Sequence, residues 1–153
     1  MKKVVFVCWG NICRSPMAER VAERYLREHG IEAHLTSAAT SREEIGAPID
    51  PRAVQSLTGA GYRTDGHAAH QITAEEIAQA DLVVAMEQIH VDKMRCMTGA
   101  DNANVVLLTD YDPESEPGAG VPDPWYGDQD GFQSTLATIE RAMPGLAEAI
   151  RRL

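Results

Sequence analysis

Two cysteines and an arginine close the first apolar run of this chain, in the stretch KKVVFVCWGNICRSPMAER. Val4-Val5-Phe6-Val7 has the β-branched and aromatic make-up of a short buried strand, and Cys8 ends it. Gly10 and Asn11 mark a turn. Cys13, Arg14 and Ser15 follow, then Pro16, a residue suited to the first position of a helix. A strand-to-helix turn leaves successive backbone N–H groups unpaired around one concavity. With the helix dipole behind them, those groups bind a tetrahedral dianion. Arg14 adds a planar fork that holds two oxygens of a phosphoryl group at once, which a lysine cannot do. Cys8 stands at the base of this cradle. The same donors favour its thiolate, and the Ser15 hydroxyl is placed to add a hydrogen bond to the sulfur. The chemistry expected is attack of sulfur on a bound phosphorus, through a cysteinyl-phosphate.

Other readings of the same residues are weaker. The G-x4-G-K-[ST] pattern of a nucleotide-binding loop is absent. Cys8 and Cys13 lack zinc spacing, and no second Cys/His pair completes a site. A cysteine that only fills core would leave Gly10, Asn11, Arg14, Ser15 and Pro16 without a reason to arrive together.

Expelling a phenolate needs a carboxylic acid at the leaving oxygen. Composition does not choose among 23 acidic residues. Asp123 stands out because it precedes Pro124 and two aromatics in a long loop, although an ordinary turn aspartate fits the same pattern equally well. The two tryptophans, Trp9 and Trp125, flank the proposed catalytic residues. With Tyr126 they are expected to wall a slot for an aryl ring. His67 and His70 are three apart, but without a carboxylate partner they make a poor metal site. No metal or other cofactor is expected.

The elements that position these groups are legible as patterns. A helix is expected from Ser15 as N-cap and Pro16 as its first residue, carrying Met17, Val21 and Tyr25 on an apolar stripe and ending at Gly30. Residues 33–38 have weak strand character. Asp50-Pro51 opens a helix to about Gly59 or Gly61, and Thr73 to Glu76 is a capping box for a third. Strands are expected over 81–86 and 104–108, with a helix over 88–97 between them. The Pro-, Gly- and Asp-rich loop over 109–128 is too long to be mere connection. A last helix covers 130–152, with Pro144 expected to kink or break it. Alternating strands and helices give an α/β fold: one parallel sheet covered by helices on both faces, with its ligand site beyond the carboxyl ends of the strands.

At 153 residues the whole of 1–153 is read as one domain. Its formal net charge of −9 argues against a nucleic-acid partner. No apolar run reaches the roughly 20 residues that span a bilayer, and the signal-like start is cut off by Gly10, Asn11 and Arg14. Three cysteines are too few for a disulfide framework, so a cytoplasmic protein with reduced thiols is expected.

VCWGNICRSPMAE resembles the signature of the low-molecular-weight protein-tyrosine-phosphatase family. The likeness extends to SAATSREEIGAPIDPRA (37–53), HAAHQIT (67–73), DLVVAME (81–87) and VPDPWYGD (121–128), nearly the whole chain. It implies a four-stranded parallel sheet with the phosphate-binding loop, residues Trp9 to Cys13 with Ser15 behind it, after the first strand. It also implies hydrolysis of phosphotyrosine in proteins or of small aryl phosphates by a monomer. By the same resemblance Cys8 is the nucleophile, Arg14 the clamp and Asp123 the acid and then the base. Ile12 goes with the phosphotyrosine type, Asn11, Ser15 and His67 hold the loop, and Cys13 traps oxidised Cys8 as a disulfide, although a Cys13 that only packs against the helix fits the sequence equally well. Ala39, Glu43, His70 and Glu87 depart from the usual pattern, none of them expected to touch the Cys-x5-Arg machinery. Glu43 is expected at the pocket rim, where it disfavours acidic peptides. Two alternatives share the scaffold: an arsenate reductase, whose thioredoxin-linked relay is incomplete with only Cys96 outside the loop, and a silent phosphate-binding module, against which intact Cys8, Arg14 and Asp123 argue.

Overall fold

In the computed structural model, which describes residues 1–153, four strands lie parallel in the order β2-β1-β3-β4. They are β1 (Lys3–Cys8), β2 (His34–Ala39), β3 (Leu82–Ala85) and β4 (Val105–Leu107). Helices α1 (Arg14–Glu28), α2 (Pro51–Gly59), α3 (Ala74–Gln79), α4 (Gln88–Thr98) and α5 (Gln129–Arg151) cover the sheet. The sheet divides two cores. Val4, Phe6, Cys8, Leu82 and Val84 point into the larger one, which α1 and α5 fill. Val5, Val7, Val83 and Ala85 point into a smaller one with Ile77 of α3 and Met94 of α4. A strand buried on both faces cannot alternate apolar with polar, which is why VVFV is continuous.

The expected strands and helices form, with three corrections. Cys13, not Ser15, is the N-cap of α1, and it makes no side-chain cap bond. Ser15 is a poor cap here because its hydroxyl is committed to the Cys8 sulfur. Pro16 therefore sits in the first turn, two residues later than expected, where its missing N–H is still no loss. Pro144 does not break α5, which runs through it to Arg151. The carbonyl it leaves without a donor, that of Glu140, lies on the exposed side of the helix, where water can serve it. Finally, the loop after β4 is not all irregular: Leu108–Tyr111 forms a 3-10 turn.

Local rules hold elsewhere. Gly30 has φ +66°, and Ile31 N–H returns to Leu26 C=O at 2.9 Å, closing α1. Asp50 accepts from Arg52 N–H at the start of α2, and Thr73 and Glu76 cap α3 reciprocally. No helix is long and apolar enough to cross a membrane.

Strand order reverses between β1 and β3, so the crevice beyond their carboxyl ends is where a ligand fits. The loop after β4 crosses to that crevice and is fixed to α5 on the way. Asp112, with its side chain fully buried, accepts from Arg141 Nε and Nη2 at 3.1 Å each and from Ser115 Oγ at 2.6 Å. Asp112→Ala is expected to lower the unfolding free energy by about 2–3 kcal/mol, since it strands these donors and loosens the loop. Urea titration of the variant against wild type, with unchanged m-value, checks this.

Candidate active site

The turn from β1 into α1 is held open by Asn11, which adopts φ +61°. A left-handed non-glycine residue costs roughly 1–2 kcal/mol, and asparagine bears it best. Three hydrogen bonds offset that strain. Asn11 Nδ2 donates to Ser15 Oγ at 2.8 Å, its Oδ1 accepts from His70 N–H at 3.2 Å, and His67 Nε2 reaches its carbonyl at 2.7 Å. His67 must therefore carry its proton on Nε2. Burial lowers its pKa. The stretch bearing both histidines is brought there by an edge contact of Gln71 with Ala39 of β2.

Inside the turn, Cys8 Sγ is 3.0 Å from Ser15 Oγ and accepts from Asn11 N–H at 3.3 Å. Arg14, almost wholly buried, uses Nη1 for Glu87 Oε1 at 2.6 Å and Val121 C=O at 2.9 Å. Nη2 lies 3.6 Å from Asp123 Oδ2, so Nε and Nη2 remain to take two oxygens of a phosphoryl group. Asp123 has a half-exposed side chain (47%) and accepts from Trp125 N–H through Oδ1 at 3.0 Å. A cleft of about 360 Å³ joins them. Cys8, Trp9, Gly10, Ile12, Cys13 and Arg14 line its floor and near wall, and Asp123, Trp125, Tyr126, Glu43 and Glu44 complete it. Asn11 and Ser15 stand fully buried behind it.

Such a constellation presents a thiol at the base of an N–H cradle, a guanidinium fork, and a carboxyl at the mouth. It can bind a phosphate monoester with an aryl group in the slot. The sequence profile of the family described as "Low molecular weight phosphotyrosine protein phosphatase" matches residues 3–153. The chain belongs to that family. It is 44% identical over 146 residues to low molecular weight protein-tyrosine phosphatase A of Mycobacterium tuberculosis, covering 94% of this chain and 88% of that one. A Streptomyces coelicolor low molecular weight protein-tyrosine-phosphatase is 43% identical over 155 residues, covering 97% and 93%. Among solved structures, a protein tyrosine phosphatase from Entamoeba histolytica superposes with a TM-score of 0.91 at 25% identity, over 99% of this chain and 98% of that one.

Within this phosphatase family site, every residue expected from the sequence lies at the cleft or directly behind it. Two expectations about neighbouring residues are corrected. Glu87 does touch the machinery, as the closest partner of Arg14. His70 does have a carboxylate partner, Glu76 Oε2 at 2.9 Å from its Nε2. Cys8 and Cys13 are both free thiols, and burial pushes the Cys13 pKa up. Cys96 lies apart and exposed on α4.

Sequence reasoning missed the residues that support Arg14. Glu87 caps α4, its N–H donating to Nδ1 of buried His90 at 3.1 Å. Gly120 packs against Glu87 so closely that a Cβ there would meet Glu87 Cγ at 2.9 Å. Val121 N–H then bonds Met86 C=O at 2.7 Å, docking the loop at the end of β3. The only local signal was a glycine two residues before Pro122.

Burial and the nearby Arg14 charge lower the His90 pKa from 6.5 to about 3. Folded His90 thus stays neutral over a range where the unfolded chain takes up a proton. Its share of stability is fully present above the unfolded value and falls as pH drops from about 6.5 towards 3. Between pH 7 and pH 5, wild type is expected to lose about 2 kcal/mol relative to His90→Gln. Denaturant titrations at the two pH values give that difference directly.

Proposed function

We propose that this protein hydrolyses phosphotyrosine, in proteins or as small aryl phosphates, with Cys8 as nucleophile, Arg14 as phosphate clamp and Asp123 as acid and base. One observation carries the reading: Cys8 Sγ, the Arg14 fork and the Asp123 carboxyl line one cleft walled by Trp9, Trp125 and Tyr126. The relatives' names as protein-tyrosine phosphatases support it.

In the first step the Cys8 thiolate attacks phosphorus opposite the ester oxygen, forming an S–P bond as the P–O bond breaks. Asp123 gives its proton to the departing phenolate oxygen. Backbone N–H groups of the turn and the free edge of Arg14 hold the equatorial oxygens. In the second step Asp123, now a carboxylate, takes a proton from water, which attacks the cysteinyl-phosphate. Inorganic phosphate leaves, and the sulfur departs as thiolate, which Ser15 Oγ and Asn11 N–H are placed to stabilise. These groups supply the nucleophile, the charge and both proton transfers, so the chemistry runs without a metal ion. Ile12 and Gly10 line the floor beneath the ring. We read the protein as a single-domain monomer of the cytoplasm, which its three free thiols suit.

Cys8→Ser is expected to abolish turnover of p-nitrophenyl phosphate while inorganic phosphate still binds, because no strong base stands near to activate a hydroxyl. Retention of substantial turnover, measured with a matched binding titration, would remove the thiol from the mechanism. Asp123→Asn is expected to lower kcat/KM about 100-fold for phenyl phosphate and far less for 2,4-dinitrophenyl phosphate, whose leaving group needs little protonation. Equal losses on the two substrates would take Asp123 out of the acid role.

A further inference from the structure

Arg52, near the start of α2, sends its side chain away from its helix and into the loop that carries Asp123. Its Nη1 donates to the Trp125 carbonyl at 2.8 Å and to the Gly127 carbonyl at 3.4 Å. The guanidinium carbon lies 5.0 Å from the Trp125 ring centroid and 4.7 Å from that of Phe132. Asp50 fixes the other edge of the fork, accepting from Nε at 3.1 Å and from Nη2 at 3.2 Å. Burial works against the Asp50 carboxylate, yet its bonds and charge contact with Arg52 hold its pKa below the ordinary value.

Asp50 has a second attachment. Its backbone N–H donates to the Ile12 carbonyl, inside the phosphate-binding turn, at 2.9 Å. A continuous path therefore runs from Ile12 through Asp50 and Arg52 to two carbonyls just after Asp123, at the C-terminal end of its segment. The opposite end of that segment is held separately, by Arg14 on the Val121 carbonyl and by Val121 N–H on Met86. Asp123 sits between two arginine anchors.

These carbonyls are on an exposed loop, where water would satisfy them as well, so hydrogen-bond satisfaction does not explain the arginine. What a bidentate fork held from behind adds is a fixed position. For proton transfer, position is decisive, since a displacement of about 1 Å can cost up to 100-fold. We propose that Arg52 is a positioning residue for the general acid: it sets the place of Asp123 relative to the phosphate-binding turn. The inference rests on Asp123 being the acid.

The test compares wild type, Arg52→Ala, Arg52→Lys, Asp123→Asn and Asp123→Asn/Arg52→Ala across aryl phosphates of graded leaving-group pKa. The expected result for Arg52→Ala is a loss of about tenfold in kcat/KM on phenyl phosphate and less than about twofold on 2,4-dinitrophenyl phosphate. The inhibition constant for inorganic phosphate should not move, and Arg52→Lys should show the same pattern at smaller size. In the Asp123→Asn background, Arg52→Ala should remove nothing further. Arg52→Lys keeps the charge and the stem, and it carries the test alone if Arg52→Ala does not fold. Losses equal across leaving groups, a weakened phosphate inhibition constant, or additive losses in the double variant each overturn the positioning role. A flat leaving-group response in Asp123→Asn itself removes the acid, and Arg52's role falls with it. A steep response there beside a flat one in both Arg52 variants overturns Arg52 alone.

Discussion

The site depends on a backbone constraint: the chain must leave a fully buried strand, turn and enter a helix between Cys8 and Arg14 without using up its own N–H groups. A tighter turn would pair those groups internally and leave nothing for an anion. Asn11 at φ +61° is what keeps the turn open, and it is held from three directions by Ser15, His67 and the His70 backbone. Because Ser15 also touches the sulfur, the bond that shapes the turn and the bond to the Cys8 sulfur share one hydroxyl. Loop geometry and chemistry are thereby coupled. This also explains why Ser15 does not cap α1: capping would take the hydroxyl away from both tasks.

The second constraint is the burial of Arg14. A guanidinium almost removed from water needs a partner, and a buried ion pair is stabilising only when its remaining donors are satisfied as well. Glu87 and the Val121 carbonyl meet that need on one nitrogen. Their placement aims the fork while sparing the edge that a phosphoryl group requires. Glu87 is in turn oriented through His90, whose neutrality is enforced by the same burial. Two cationic centres side by side would oppose each other. A neutral imidazole lets Arg14 keep the local positive potential to itself.

Much of this was legible from the chain because the signals are local. A continuous apolar run, a cap-then-proline pair at Asp50-Pro51, the Thr73 capping box and the Cys8-to-Arg14 spacing each carry their meaning within a few residues. The misreadings have a common cause: a local rule lost to a distant contact. Ser15 before Pro16 looks like a cap until the sulfur claims it. Pro144 looks like a breaker until its exposed side shows that water can take the freed carbonyl. Glu87 was missed because it reaches Arg14 from 73 positions away, and only the strand order brings the end of β3 beside the end of β1. Arg52 and Trp125 are likewise joined across the fold, with no pattern near either to announce the other.

The electrostatics of the molecule then pull in two directions. A chain of net charge −9, with Glu43 and Glu44 on the lip of the cleft, repels a dianion at long range. The cradle attracts it at contact distance. The two are compatible because they act on different length scales. At physiological ionic strength the field of surface charges is screened within about 8 Å, whereas Arg14 and the backbone donors act at about 3 Å, well inside that screening length. The acidic exterior therefore governs encounter more than grip. It slows the approach of any anion and leaves contact inside the cleft to the buried donors. The aromatic walls and the acidic lip are thus separate features of one cleft, the first acting by contact and the second by charge at a distance.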